Sequence, residues 1–324
     1  MYSYYICDKT MLFTNGTHAN YFIILGLLNT TEMNMPLFIV FLCIFLVTLM
    51  GNIIIITVVC LDRALQNPMY FFLTNLSFLE IWYTVTIVPK LLVNLLVKCI
   101  YISFVGCMTQ LFFFVTFGAC ECYLLLVMAY DRYLAICKPL YYSTLMNTKT
   151  CLYLLASGSW VGGFLSPVLP VTLISKLVFC GPNSINYFYC DAQPLLRLSC
   201  SRTYLTEATI TILASGLIFS SFLLTVISYI FIILTILRIP TSSGRKKTFS
   251  TCASHLIVVI MYYGTITCIY MQPMSSFPLE INKVLSLLYT VVTPMLNPII
   301  YSLRNKEIKK ALWRTLQRVK CHTS

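Results

Sequence analysis

The chain has 324 residues, of which 59% are hydrophobic and only 10% are Asp, Glu, Lys or Arg, with a formal net charge of +12. Soluble domains average about 45–50% apolar residues, so this composition excludes an ordinary soluble core and points to the bilayer as solvent. The basic excess alone would suggest a nucleic-acid partner, but its distribution along the chain argues against one.

Residues 1–28 lack the basic start, apolar stretch and small-residue cleavage site of a signal peptide. The first spanning helix is therefore expected to insert the protein. Residues 1–35 read as an extracellular N-terminus carrying a glycosylation sequon at Asn15-Gly-Thr17. Asn29-Thr-Thr31 is a second match, close to the membrane. Residues 36–303 read as one all-α membrane domain, a seven-transmembrane helix bundle. Its spans are expected at about 36–60, 69–92, 104–133, 150–172, 206–237, 248–272 and 281–303. The fourth and sixth are broken by Ser, Thr, Gly and Pro, which membrane helices tolerate when neighbours satisfy the backbone. Asn75-Leu-Ser77 also matches a sequon, but it falls inside the second span, where no modification is expected. Residues 304–324 read as a cytoplasmic amphipathic helix and tail. In RNKEIKKALWRTLQRV, residues 304–319, Ile308, Leu312, Leu316 and Val319 form one stripe among basic residues. That pattern suits a helix lying on the lipid surface.

An odd number of spans puts the termini on opposite sides. With the N-terminus outside, the inner face carries Arg63, Arg132, Lys138, Lys149, Arg238, Arg245, Lys246, Lys247 and seven more from Arg304 to Lys320, which is 15 of the 22 Lys and Arg. Positive residues on short loops mark the cytoplasm. The basic charge is thus a topology signal and a lipid-facing surface, and no nucleic-acid partner is expected.

Asp131 and Arg132 stand together in MAYDRYLAIC, residues 128–137, after a nearly apolar run. At the inner membrane edge such a pair acts as a two-state element, closed when idle and opened when another group offers Arg132 a partner. The same pair also suits a snorkelling anchor. At about 100° per residue, Phe114, Gly118, Glu121 and Arg132 share one stripe of the third helix, which a charge turns into the bundle. Glu80 lies at a matching depth on the second helix. Two carboxylates at one site share a proton or bind a cation. Asn52 and Asn297 are expected to join them, giving a sodium or proton site or a set of neutral packing groups. In PMLNPIIY, residues 294–301, Pro294 and Pro298 invite a kink beside Asn297 and Tyr301.

Cys107 opens the third helix, and the loop after the fourth holds Cys180, Cys190 and Cys200. Outside the cell these are expected to form disulfides. Four Cys allow three connectivities, and spacing does not choose among them; Cys7 and Cys99 also face that side. The outer half of the third helix, FFFVTFGAC at 112–120, bears no charge, and the sixth offers Tyr263, Thr267 and Tyr270. A pocket there is apolar with a few hydroxyls, which suits a small neutral ligand. No nucleophile–base pair or metal-ligand spacing emerges, so no enzyme is expected.

The motifs GN at 51–52, PMYFFLTNLSFLE at 68–80, MAYDRYLAIC at 128–137, SY at 228–229, KTFSTCASHL at 247–256 and PMLNPIIYSLRNKEIKKAL at 294–312 together resemble the odorant receptors, a branch of the rhodopsin-like G-protein-coupled receptors. The resemblance runs from about Asn15 to Leu312. It implies disulfides Cys107–Cys190 and Cys180–Cys200. It implies that Arg132 is the G-protein switch, freed from Asp131 on activation and met by Tyr229 and Tyr301. It makes Glu80 and Glu121 sodium-site acids, with a bound sodium ion the one non-protein group expected. Glu80 departs from the Asp that most members carry. Tyr187 stands where many members have His, and Thr248 where many have Ala.

By the same resemblance the pocket includes Phe114, Val115, Gly118, Ala119, Tyr263, Ile266, Thr267, Tyr270 and Thr290. No acid on the outer third helix offers an amine site. Lys283 lies too near the outer end of the seventh helix to carry a Schiff base. The implied activity is binding of a small, mostly apolar volatile odorant at the plasma membrane. A stimulatory olfactory G protein then raises cAMP. The rivals are a rhodopsin-like receptor for a lipid or metabolite, and an ion-coupled transporter using Glu80 and Glu121 as a relay. Transporters usually show internal repeats, and none is found here.

Overall fold

A computed structural model describes residues 20–27, 34–97, 100–180, 183–270 and 279–323. Cys7, Asn15, Asn29 and Cys99 lie outside the described residues. Seven helices are long and apolar enough to cross a membrane. They are α1 (Asn34–Leu61), α2 (Pro68–Leu96), α3 (Phe104–Cys137), α4 (Thr148–Ser175), α5 (Tyr204–Leu237), α6 (Ser242–Tyr270) and α7 (residues 279–304), followed by α8 (Lys306–Thr323). All seven expected spans are present, several of them extended by a turn or so beyond the apolar run.

Local chemistry fixes where these helices begin. Asn67 precedes Pro68, and its side chain accepts the Tyr70 N–H at 3.4 Å, which starts α2. Ser103 starts α3 by accepting the Gly106 N–H at 3.1 Å. Asn147 starts α4 by accepting the Thr150 N–H at 3.0 Å. Asn305 turns the chain out of α7 into α8, its Oδ1 accepting the Glu307 and Ile308 N–H groups at 3.0 and 3.3 Å. Two helices carry wide π-turns, α4 over Leu154–Val161 and α7 over Leu288–Val292. The second sits just before Pro294, whose missing N–H leaves the α-helical bond to Thr290 unmade.

α3 runs through the centre and packs against α2, α4 and α5. Its Phe117, Cys120, Leu124, Leu125 and Met128 are buried, whereas α1 turns Ile39, Val40 and Met50 outward. A bundle whose rim is this apolar is stable only where hydrocarbon replaces water.

At one end of the bundle lies a small sheet that the apolar pattern does not announce. β1 (Tyr21–Ile24) pairs antiparallel with β2 (Ile100–Ser103), in register Tyr21 with Ser103, and parallel with β3 (Ser184–Ile185), in register Ile23 with Ser184. Phe22, Ile23 and Ile24 are buried beneath the loop that follows α4. Gly26 leaves the strand at φ +86°, a conformation that a side chain would strain. Cys107 is bonded to Cys190 and Cys180 to Cys200, tying that loop to α3 and to itself.

At the opposite, basic end, α8 is held against the turn between α1 and α2. Arg314 pairs with Asp62 at 2.7 Å, and the Tyr70 hydroxyl meets the Asn305 side chain at 3.2 Å. Ile308 is buried there and Leu312 half-buried, so the head of the predicted stripe packs on the bundle, while Trp313 points away from it.

Candidate functional site

Three features line up along α3. The first is an apolar cavity of about 710 Å³ in the half that bears the sheet. Phe114, Val115, Gly118 and Ala119 of α3 line it, with Ile266 and Tyr270 of α6. Tyr263, Thr267 and Thr290 do not. Of the expected α6 residues Ile266 and Tyr270 hold the cavity face, while Tyr263 and Thr267 each stand one residue, or about 100°, off it. Tyr262 and Ile266 face the cavity, while the Tyr263 hydroxyl donates to the Cys122 carbonyl at 3.3 Å and Thr267 is exposed. Thr290 donates to the Ser286 carbonyl of its own helix at 2.7 Å.

Sequence reasoning missed Cys122, Asp191, Tyr262, Tyr289 and the α5 face of Ile210, Ala214 and Leu217, all of which line the cavity. α5 is apolar on every side, so no periodicity marks which side turns inward. Tyr262 donates to the Gly118 carbonyl at 2.7 Å and contacts the Cys122 sulfur at 3.3 Å. A Cβ at Gly118 would stand 2.8 Å from the Tyr289 hydroxyl, so any side chain there displaces that ring. Phe114 packs on Tyr189, Tyr83 and Tyr289, with ring centroids 4.9, 5.7 and 6.3 Å away.

Asp191 follows the disulfide-bonded Cys190 and is 2% exposed. Its carboxylate accepts the Ala192 N–H at 2.7 Å and starts the short helix Ala192–Leu198. Burial pushes its carboxyl up to about 6.

The second feature is a polar centre one or two turns deeper. Asn297 donates to Glu80. Glu80 and Glu121 interact electrostatically, with Asn52 beside them donating to the Thr48 carbonyl at 3.0 Å. Glu80 Oε2, Glu121 Oε1 and Asn297 Oδ1 are buried with no hydrogen-bond partner among the described residues. All three are oxygen acceptors. That donor set fits a hard monovalent cation or shared protons. Among the described residues, no group of three or more His, Cys, Asp and Glu is arranged to hold a metal.

The third feature closes the basic end. Arg132 Nε donates to Asp131 Oδ2 at 2.8 Å, and the Tyr142 hydroxyl donates to Asp131 Oδ1 at 2.8 Å. Asp131 is buried. Tyr229 is not on Arg132: its hydroxyl meets His255 Nδ1 at 2.6 Å, with the two rings stacked. The Tyr301 hydroxyl is buried and has no partner among the described residues. Cys252 of α6 packs with Ala129 of α3 and Ile232 and Ile236 of α5, so α6 is closed against its neighbours. His255 and Tyr142 received no role from the sequence, although HL at 255–256 lies within a motif.

The seven-helix membrane bundle thus carries an apolar cavity at one end and a clamped Arg at the other. The chain belongs to the olfactory receptor family, whose pattern it matches over residues 41–319. It is 53% identical over 307 residues to olfactory receptor 11L1 of Homo sapiens, covering 95% of each chain. Over 308 residues it is 51% identical to olfactory receptor 10A7 of Homo sapiens, covering 94% of this chain and 96% of the other. Over 302 residues it is 47% identical to olfactory receptor 5AP2 of Mus musculus, covering 93% and 95%.

Proposed function

We propose that this olfactory receptor binds small, neutral, mostly apolar odorants in the cavity beside α3 and passes the signal to a stimulatory, olfactory-type G protein that raises cAMP. The observation that carries the reading is that α3 joins the two ends, with Phe114, Val115, Gly118, Ala119 and Cys122 lining the cavity and Arg132 in the closed clamp. In this reading the sheet-bearing end and the N-terminus face outward, and α8 lies on the inner leaflet of the plasma membrane. The biased distribution of Lys and Arg supports that orientation.

An odorant shifts the receptor only by its difference in affinity for the two packings. The odorant contacts Tyr262, Ile266 and Tyr270 of α6 as well as α3, so it favours whichever position of α6 suits it best. When α6 moves away from α3, Tyr229 leaves His255, and Arg132 exchanges Asp131 for Tyr229, Tyr301 and the partner's helix. Glu80, Glu121 and Asn297 are the groups that would hold a sodium ion, whose single charge would balance one ionised carboxylate while the other keeps its proton. The site residues perform no covalent chemistry. A receptor for a non-odorant lipid or metabolite is the alternative; the family membership favours the odorant.

The test is cAMP in cells carrying the chain and the olfactory G protein, across a panel of volatile compounds, with surface staining. A response abolished by Arg132→Ala at normal surface level is expected. An undiminished response in that variant would reject the switch. Glu121→Gln is expected to remove the sodium dependence of basal cAMP; unchanged dependence would reject the ion site.

A further inference from the structure

The cavity has two boundaries of opposite character. Toward the outer end it is covered. Tyr187, Phe188, Tyr189 and Cys190 are each at most 3% exposed. The Cys190 N–H donates to Gln110 of α3 at 3.1 Å, the Tyr187 hydroxyl donates to the Asn282 carbonyl of α7 at 3.1 Å, and Lys283 donates to Asn186 at 2.9 Å. The cover is thus fastened to α3 by a disulfide and a hydrogen bond, to α7 by two more, and to the N-terminal strand by β-pairing.

Toward the side there is no such cover. Leu165 of α4 and Ile212 and Leu213 of α5 line the cavity, yet they are 66%, 70% and 44% exposed on the outside of the bundle. The same side chains therefore touch the cavity and the surrounding hydrocarbon. α5 packs against α4 over its outer stretch, Val168–Ser175. Below that contact, Gly216 faces open space, with no atom beyond its own stretch of helix within 4 Å of where its Cβ would stand. Ser166 and Ser220 border the same gap, and Ala119, Cys122 and Tyr123 of α3 form its floor.

We infer that the gap between α4 and α5 is a portal through which neutral, bilayer-dissolved molecules reach the ligand cavity without crossing the outer cover. The inference rests on the cavity being the ligand site. Its ligand class is set by the route: compounds that partition into hydrocarbon and carry no fixed charge, because a charged group at that depth is costly. The apolar walls of the gap then continue the solvent that the ligand already occupies, so entry requires little desolvation.

Cys122 lies on the floor and reports arrival. The full chain is placed in sealed vesicles with its outer face exposed, and two mercurials of similar size are applied. Neutral phenylmercuric chloride and anionic p-chloromercuribenzenesulfonate each bond to a thiol sulfur, releasing its proton and chloride. Mass spectrometry follows the modified fraction of Cys122, with Cys43 on the outside of α1 as the control for reagent in the lipid. The neutral reagent is expected to modify Cys122 about a hundredfold faster than the anion, the ratio set by the cost of a charge in the bilayer. Gly216→Trp should slow the neutral reagent severalfold at Cys122 and leave Cys43 unchanged. Should that variant not fold, Ser220→Trp makes the same obstruction, and the comparison of reagents on the natural chain needs no variant. Equal rates for the two reagents, or an obstruction without effect while Tyr187→Ala speeds the reaction, would overturn the portal. Neither readout involves an odorant or a G protein, so a portal that labels as expected in a chain that never raises cAMP would separate failure of the receptor reading from failure of the route.

Discussion

In the proposed switch, a single hydroxyl, that of Tyr229, holds the idle packing. It is committed to His255 at 2.6 Å across the α5–α6 contact, and a partner that must be given up is a barrier to the active state. Such a hydrogen bond contributes about 1 kcal/mol net, or roughly a fivefold shift in a two-state equilibrium. His255→Phe is expected to raise basal cAMP by about that factor with surface level unchanged; basal signalling at or below the natural chain's would refute the latch. Asp191 gives a pH signature. Its carboxyl titrates at about 6 in the fold and near 4 when unfolded, so the folded state binds the extra proton between those values. The contribution of Asp191 to stability is therefore greatest below pH 4, falls as pH rises toward 6 and is level above it, by up to about 3 kcal/mol. Thermal unfolding from pH 4 to 7 should show that slope, and Asp191→Asn should flatten it. A slope that survives the substitution would assign it elsewhere. Neither residue could be read from the sequence. His255 is one polar side chain in an apolar span, and the burial of Asp191 depends on a loop folded by long-range contacts.

Among the elements, the helices were legible and their faces only partly so. Long apolar runs fix a span because the bilayer demands about 20 such residues. Which side turns inward is readable on α3, where Glu121 and Arg132 cannot face lipid, and not on α5, where Ile, Leu, Phe and Ser alternate without a period. On α6 the choice of Tyr263 and Thr267 over Tyr262 shows how a turn of 100° separates a cavity wall from a packing contact. β1 was illegible because YFII has no neighbour in sequence to pair with; both its partners lie far along the chain. The loop's attachment to α3 is a cross-link expected to act as a unit. Replacing Cys107 or Cys190 with Ser should lower surface expression equally, and replacing both should add nothing; additive losses would reject that account. At the other end, Arg314→Ala should raise hydrogen exchange in α8 while costing at most about 1 kcal/mol, since Arg314 is 43% exposed in that pair. Exchange that stays the same would mean that Ile308 and its neighbours dock the helix alone.

As a whole the molecule is a bundle that sets the apolar cavity and the Asp131–Arg132 pair at opposite ends of one buried helix. The gathering of 15 of its 22 Lys and Arg on one side favours an outer N-terminus. A tag on the C-terminus should be stained only after cells are permeabilised; staining of intact cells would reverse the topology and with it the assignment of outer cavity and inner clamp. The composition announced the membrane and the motifs announced the family. What neither contained was the sideways opening of the cavity, which depends on how far two helices of unmarked faces diverge.

The strand pairing also orders events during synthesis. β1 is made first, but β2 emerges nearly 80 residues later and β3 about 160 residues later. The strand must therefore wait, unpaired, while two helices are threaded into the bilayer, and it meets its second partner only after two more. β1 completes its pairing only when β3 arrives, so a ribosomal pause or a lost loop cysteine is felt at a strand translated long before it.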